Sequence, residues 1–265
     1  VVMPTSSQDL AAAFLAAKDQ GIDVDTLLFQ LAKGDYPTMQ RFLSDPAWLG
    51  VDNIWPALKA LLIHIRQPGI HKYHLEIGKG GGKSTLSAVD QLYSAGELIA
   101  LEDAHSFFQL DPGKPITCIT VATSETQAKL TIFAKIKSLV ERIPFFANRQ
   151  HEVLTDRIVF ERSSRFPEGR IMMLCGHSKA ESLEGHDVYH AILDEANKHR
   201  DSSGKSNAKT LFEMLVSSAK TRFPAHFRVG TISSSLSHQA FQRQRVDEIL
   251  RVGTPLVWED PTRCP

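Results

Sequence analysis

The sequence predicts an α/β fold with a doubly wound, mainly parallel sheet flanked by helices, and three observations carry that prediction. Short apolar runs rich in β-branched residues alternate with segments of helical period along most of the chain. A glycine-rich loop, Gly78-Lys79-Gly80-Gly81-Gly82-Lys83-Ser84-Thr85, sits between one such run and an amphipathic helix. A second apolar run, Val188 to Leu193, stops abruptly at two adjacent acids, Asp194 and Glu195.

Taken in order, residues 8–44 read as helical, with Leu10, Phe14, Ile22, Leu27, Leu28 and Leu31 divided by polar positions. They make a helical N-terminal segment, 1–48, ahead of a main domain over 49–265. A turn around Pro46 to Gly50 leads into a helix from Trp55 to Ile65 with Pro56 in its first turn, where a missing N–H costs nothing. His74 to Ile77 ends a short strand, and Leu86, Val89 and Leu92 set the period of the helix after the glycine loop. Ala100 to Pro115 is a polar connection. Ile116 to Ala122 is a core strand, with Thr123 or Ser124 placed to cap a following helix. Arg157 to Phe160 and Arg170 to Cys175 are two strands around a turn at Phe166 to Gly169. Residues 197–208 read as polar and flexible, 209–220 as an amphipathic helix, and Phe227 to Ile232 as a core strand ending in Ser233-Ser234-Ser235.

Composition agrees. A chain of 265 residues with 42% apolar residues can bury a full α/β core. Thirty basic residues balance thirty acidic ones, so any contact with a polyanion needs a local patch. Cys118, Cys175 and Cys264 are odd in number and far apart, which implies neither a disulfide framework nor a zinc site and suits a reducing cytoplasm. No apolar run reaches a membrane span, and residues 1–20 lack the pattern of an export signal. The expectation is a soluble, unexported protein.

The glycine loop is a phosphate cradle. Glycines let several amides turn inward without a Cβ in the way, and the helix N-terminus adds donors and the positive end of its dipole. Lys83 would reach the β- and γ-phosphates and Ser84 would help hold a Mg²⁺ ion bridging them. The usual spacing would put a glycine at position 77, which here is Ile77. Asp194 and Glu195, at a strand tip, would face the same crevice, Asp194 on the metal and Glu195 orienting and deprotonating the attacking water. Alternation along the strand would send the two acids to opposite faces and so divide the roles. Asn197-Lys198-His199-Arg200 lacks the fourth-place Asp of a guanine reader, which favours ATP over GTP. Trp55 or Pro56 could pack on adenine or simply staple its helix to the core. These features together predict a P-loop NTPase of the ASCE type.

The ordered motifs resemble the large terminase subunits that package DNA into the heads of tailed bacteriophages and herpesviruses. The matching residues are the loop at 78–85, Ala122 to Ala128 after the second core strand, Ser182-Leu183-Glu184-Gly185, Ile192 to Ala196, and the Val229 to Ser234 strand in the place of the coupling motif. The resemblance covers about residues 50–260 and implies an ATP-driven motor. It implies double-stranded DNA, a portal protein and a small terminase subunit as partners, a homo-oligomeric ring (a pentamer), and no membrane. Its place would be the host cytoplasm, transiently at the procapsid portal. Lys79 would take the place of a basic residue that contacts phosphate or couples hydrolysis to motion, and Ser233 and Ser234 would be coupling residues. Relatives carry an Arg finger where Glu184 stands here; Lys179, Arg165 and Arg170 are the remaining candidates for that role. The family's C-terminal nuclease domain is expected to lie outside this chain. Lys198, His199, Arg200, Lys205 and Lys209 form a basic stretch that could touch DNA phosphates or be a solvated loop. A helicase-like ATPase and a non-hydrolysing nucleotide-binding scaffold stay open as alternatives.

Overall fold

In the computed structural model, which describes residues 23–50, 54–123, 129–177, 185–199, 207–234 and a few isolated positions, seven strands form one sheet. They are β1 (Lys72–Glu76), β2 (Ile116–Ala122), β3 (His151–Val153), β4 (Arg157–Phe160), β5 (Ile171–His177), β6 (Asp187–Asp194) and β7 (Arg228–Ser233). Their spatial order is β1-β7-β6-β2-β5-β4-β3. The first five in that order run parallel, and β4 and β3 add an antiparallel edge. Every residue of β2 and β6 is buried, as a parallel sheet covered on both faces requires.

The helices are α1 (Val24–Ala32), α2 (Met39–Ser44), α3 (Pro56–Ile65), α4 (Lys83–Ala100), α5 (Ala104–Phe108), α6 (Ala134–Arg142), α7 (Pro144–Ala147) and α8 (Ala208–Arg222). A π-helical turn, Lys129–Phe133, leads into α6. Helix α4 lies across β2, β5 and β6 and meets Tyr73 of β1, whose hydroxyl donates to Asp90. The next residue of β1, His74, faces the opposite side and packs against the Phe212 ring of α8 at a tilt of 48°. The sheet is therefore wrapped on both faces, as the alternation predicts. Gly230 of β7 is opposite Tyr73 in register, and a Cβ there would lie 2.1 Å from the Tyr73 ring. Glycine at this position lets the tyrosine cross its neighbouring strand to reach α4.

Several local expectations change. The helical reading of 8–44 is interrupted, over the part described, between α1 and α2: Gly34 takes a left-handed φ of 56° and Pro37 precedes the Thr38 cap of α2. Phe29, Met39, Phe42 and Leu43 of this segment join the same hydrophobic core as the sheet. The polar connection 100–115 holds the short helix α5, capped by Asp103 accepting from the Ser106 amide, with His105 buried. Strand β3 and helix α7 are further elements that the sequence reading does not contain. The segment 197–208 is not simply solvated, because Asn197 and His199 are buried beside β6. Residues 124–128, with the cap expected at Ser124, lie outside the described residues.

A buried ionic network ties α4 to the sheet. Arg66, just past α3, pairs with Asp90 and, at 3.1 Å, with Glu97, while Lys33 pairs with Glu97 at 2.7 Å. Strand β6 carries a one-residue bulge against β2, Thr117 pairing with Val188 and Cys118 with His190, which leaves Tyr189 as the extra residue. Consecutive residues then reach the same helix: Tyr189 meets Glu97 and His190 meets Ser94 and Asp90. Arg66 donates to the Ser94 hydroxyl, so that hydroxyl donates onward to His190 Nδ1, and the Nε2 proton faces Asp90 Oδ2 at 3.3 Å. Burial holds His190 neutral and pushes its pKa down to about 3, against the upward pull of the neighbouring Asp90 charge.

A pH dependence of stability follows. His190 at about 3 and His74 at about 4, the latter also lowered by burial, cannot take the proton that the unfolded chain takes below its ordinary histidine pKa. A depressed histidine pKa therefore removes stability as pH falls below about 6.5, about 2 kcal/mol for each group by pH 5. Asp194, raised to about 6, acts with the opposite sign over the same interval and restores about 1 kcal/mol. Urea unfolding at pH 7 and pH 5 should show a net loss of roughly 2–3 kcal/mol. Equal stability at the two values would mean that the buried histidines take their protons in the native state.

Candidate nucleotide site at the tips of β1, β6 and β7

Helix α4 opens on Gly82 at φ 84°, and no side chain caps its first turn. Gly80 is also left-handed, at φ 80°. Beyond these conformations there is little space: a Cβ on Gly82 would lie 2.3 Å from Leu58 of α3, and one on Gly81 would lie 2.5 Å from Ile77 Cγ2. Ile77, in the place where the common spacing has glycine, thus packs under the loop it precedes. Gly78, Lys79 and Gly80 are exposed, and Gly81 through Thr85 are half-buried. The result is an 18-residue helix whose uncapped N-terminus sits behind a glycine turn open to solvent, the arrangement that anions seek.

Lys83 folds across this loop and donates to the carbonyls of Ile77 at 3.1 Å and Gly78 at 3.3 Å. Its ammonium also lies 3.9 Å from Glu195 Oε1. Glu195 is held from the other side by Lys198, at 3.4 Å from Oε2. Glu195 is not the next strand residue after Asp194, as the alternation argument supposes. Strand β6 ends at Asp194, and Glu195 turns out of it in the left-handed region at φ 50°. A backbone turn, not strand pleat, separates the two acids. Asp194 stays in the sheet, 4% exposed, and burial together with the Glu195 charge pushes its pKa up to about 6. The Asp194 carbonyl is engaged by His199 Nε2 at 2.8 Å, which explains why a residue of the supposedly flexible stretch is buried.

The tip of β7 lies between the loop and the acids. The Ser233 carbonyl accepts from the Ile77 amide at 3.0 Å, and the Ser233 hydroxyl accepts from the Asn197 amide at 3.3 Å. The Asn197 side chain donates to the Ser234 carbonyl at 3.0 Å, and the Ser234 hydroxyl reaches Glu195 Oε2 at 3.5 Å. The structure therefore brings together the glycine loop, Lys83, Asp194, Glu195, Ser233 and Ser234. Ser84 and Thr85 form the first turn of α4 on the same loop. Trp55 stands apart in its burial, 46% exposed at the N-cap of α3, whose Leu58 underlies the loop.

Two cations suggested as fingers have other work. Arg170 is 5% exposed and closes the C-terminus of α4 by donating to the carbonyls of Ile99, Leu101 and Glu102. Arg165 is paired with Asp103 and Ser106 at the start of α5. Lys179, Glu184, Arg200 and Lys205 lie outside the described residues, while Lys209 pairs with Glu213 on the surface of α8. A cation the sequence reading missed is Lys135 of α6, which donates to the Thr85 hydroxyl at 2.8 Å. An exposed lysine on an amphipathic helix carries no sign of such a contact in its sequence.

The model of the family described as "Uncharacterized protein MJ0330, N-terminal P-loop domain" matches residues 65–260. The chain belongs to that family. In this P-loop family member, one strand, β7, intervenes between the phosphate-loop strand β1 and the acid strand β6, as in ASCE-type sheets. Among solved structures, the large terminase of bacteriophage HK97 is similar in fold, with a TM-score of 0.51 at 15% identity over 81% of this chain and 41% of that one. The chain thus spans well under half of the HK97 protein. A variant of the Thermus phage P74-26 large terminase ATPase domain aligns at 19% identity and a TM-score of 0.48, over 76% of this chain and 71% of that one. The N-terminal domain of the phi29 DNA packaging ATPase aligns at 14% identity and 0.41, over 71% and 84%. No curated protein matches the chain. Among the described residues, no helix is long and apolar enough to cross a membrane.

Proposed function

We propose that this chain is the ATP-hydrolysing motor domain of a viral DNA-packaging terminase. The observation that carries the reading is the meeting of Lys83, Glu195 and Ser234 across the tips of three parallel strands, beside an uncapped glycine-led helix. Gly78, Lys79, Gly80, Gly81, Gly82, Lys83, Ser84 and Thr85 hold the triphosphate. Its negative oxygens take over the donors of the loop and draw the Lys83 ammonium from the Ile77 and Gly78 carbonyls. Ser84 and Asp194 are the residues that would hold Mg²⁺, which supplies charge neutralisation on the phosphates; the hydroxyl and carboxylate chemistry fits a hard cation. Asp194, with its pKa near 6, is ionised for that task at neutral pH.

Glu195 accepts the proton of the water that attacks the terminal phosphorus as the bond to the bridging oxygen breaks. Lys198 and the Ser234 hydroxyl orient the carboxylate. Ser233 and Ser234, bonded to the loop start at Ile77 and to the acid tip through Asn197, pass a change at one phosphate-facing element to the other. Lys79, exposed at the loop crest, is the second basic group on the phosphates. Trp55 is a further nucleotide contact in this reading. The partners are double-stranded DNA, the portal, the small terminase subunit and a C-terminal nuclease domain. The assembly is a homo-oligomeric ring in the host cytoplasm.

The test is steady-state ATP hydrolysis with Mg²⁺ over a range of protein concentrations, with and without double-stranded DNA. Turnover that rises with concentration and with duplex DNA supports the motor. Stimulation by single strands alone would favour a helicase-like ATPase, and tight ATP binding without turnover under every condition would favour a scaffold.

A further inference from the structure

A cavity of about 260 Å³ opens beside the first two turns of α4. Ile54, Ala88, Val89 and Leu139 supply its apolar walls, and Thr85 and Lys135 stand at one end with Ser138 on the rim. Lys83 and Thr85 are two residues apart, which is about 200° of rotation around a helix, so they face in nearly opposite directions. Lys83 faces Glu195. A triphosphate lying in the loop with its terminal phosphate at Glu195 therefore has its other end toward Thr85 and this cavity.

The chemistry of the walls suits what would arrive there. Flat aromatic rings go to clefts lined by apolar side chains with a few placed polar groups. Here the aliphatic positions are small or branched, and the polar group at the loop end is a cation already bonded to the first turn of α4. Ile54, next to the Trp55 or Pro56 that could pack on adenine, lines the cavity.

We propose that this cavity takes the base and sugar of the nucleotide, with Lys135 of α6 turning from the Thr85 hydroxyl to the phosphate nearest the sugar. The proposal rests on the phosphate-loop reading above and extends it to the substrate's other half. It also makes α6 part of the nucleotide site.

Two measurements test it on the intact chain. Photolabelling with 8-azido-ATP, with and without excess ATP, should place an ATP-protected label within residues 85–89 or 134–142; a protected label elsewhere overturns the proposal. Calorimetric titration should compare ATP with inorganic tripolyphosphate for the wild type, Ser138→Trp and Lys83→Ala. Ser138 is exposed, so a bulky residue there crowds the cavity rim without entering the core. Ser138→Trp is expected to weaken ATP binding at least tenfold and to leave tripolyphosphate unchanged. Unchanged ATP affinity in Ser138→Trp, with tripolyphosphate still lost in Lys83→Ala, sinks the cavity alone. Tripolyphosphate binding that survives Lys83→Ala sinks the phosphate-loop reading, and the cavity with it.

Discussion

Glu195→Gln will lower ATP turnover by about two to three orders of magnitude while leaving nucleotide affinity within a few-fold of the wild type. Glutamine keeps the length and the hydrogen-bonding shape of the side chain, so Ser234 and Lys198 still have an oxygen to meet. What disappears is the negative charge that receives a proton from water, and general-base loss typically costs about 10²- to 10⁴-fold. Affinity is spared if, as proposed, the loop and not the acid tip grips the phosphates; removing a carboxylate beside them would also lessen repulsion. Single-turnover hydrolysis, measured beside equilibrium binding, separates the two effects. A Glu195→Gln protein that hydrolyses at the wild-type rate would show that the base lies elsewhere.

Lys83→Ala is expected to act on binding first. The ammonium is the one charged group described that touches both the loop, through the Ile77 and Gly78 carbonyls, and the acid tip, at Glu195. A charge-assisted bond to phosphate is worth about 1.5–3 kcal/mol, which is roughly a ten- to hundredfold loss of ATP affinity. The same change leaves Glu195 with Lys198 as its neighbouring cation, so the apo protein keeps most of its stability. Saturating ATP raises the melting temperature of the wild type by mass action, and that rise should fall to about half or less in Lys83→Ala at the same ligand concentration. Retention of the full rise would remove the loop from the phosphate site.

The parts of this molecule that the sequence discloses are those whose composition is their function. Four glycines ahead of Lys83-Ser84 cannot build a core, and the carboxylates ending an apolar run cannot extend one, so both are legible in the sequence. The parallel strands were visible for a similar reason, since runs such as Ile116 to Ala122 are apolar on both faces. That same continuity hid the bulge at Tyr189, because an unbroken apolar run gives no phase for a register slip to disturb. It hid the turn at Glu195 as well. Helix α5 has no period to read because it is five residues long, though Asp103 ahead of Ser106 is a legible cap. Burial of His199 and the contact of Lys135 with Thr85 depend on neighbours 5 and 50 residues away, which no local pattern encodes.

The left-handed backbone at Glu195 has a consequence for how this domain can change. A residue with a Cβ at φ 50° sits in a conformation that costs of order 1 kcal/mol, and glycine or asparagine would hold it with less strain. Glu195→Gly is thus a substitution that would relax the fold at the position where it removes the proposed base. Screens for thermal resistance would enrich it and lose activity in doing so. Glutamate at this turn runs against the local preference of the backbone, which sets the stability of the acid tip in opposition to the proposed turnover.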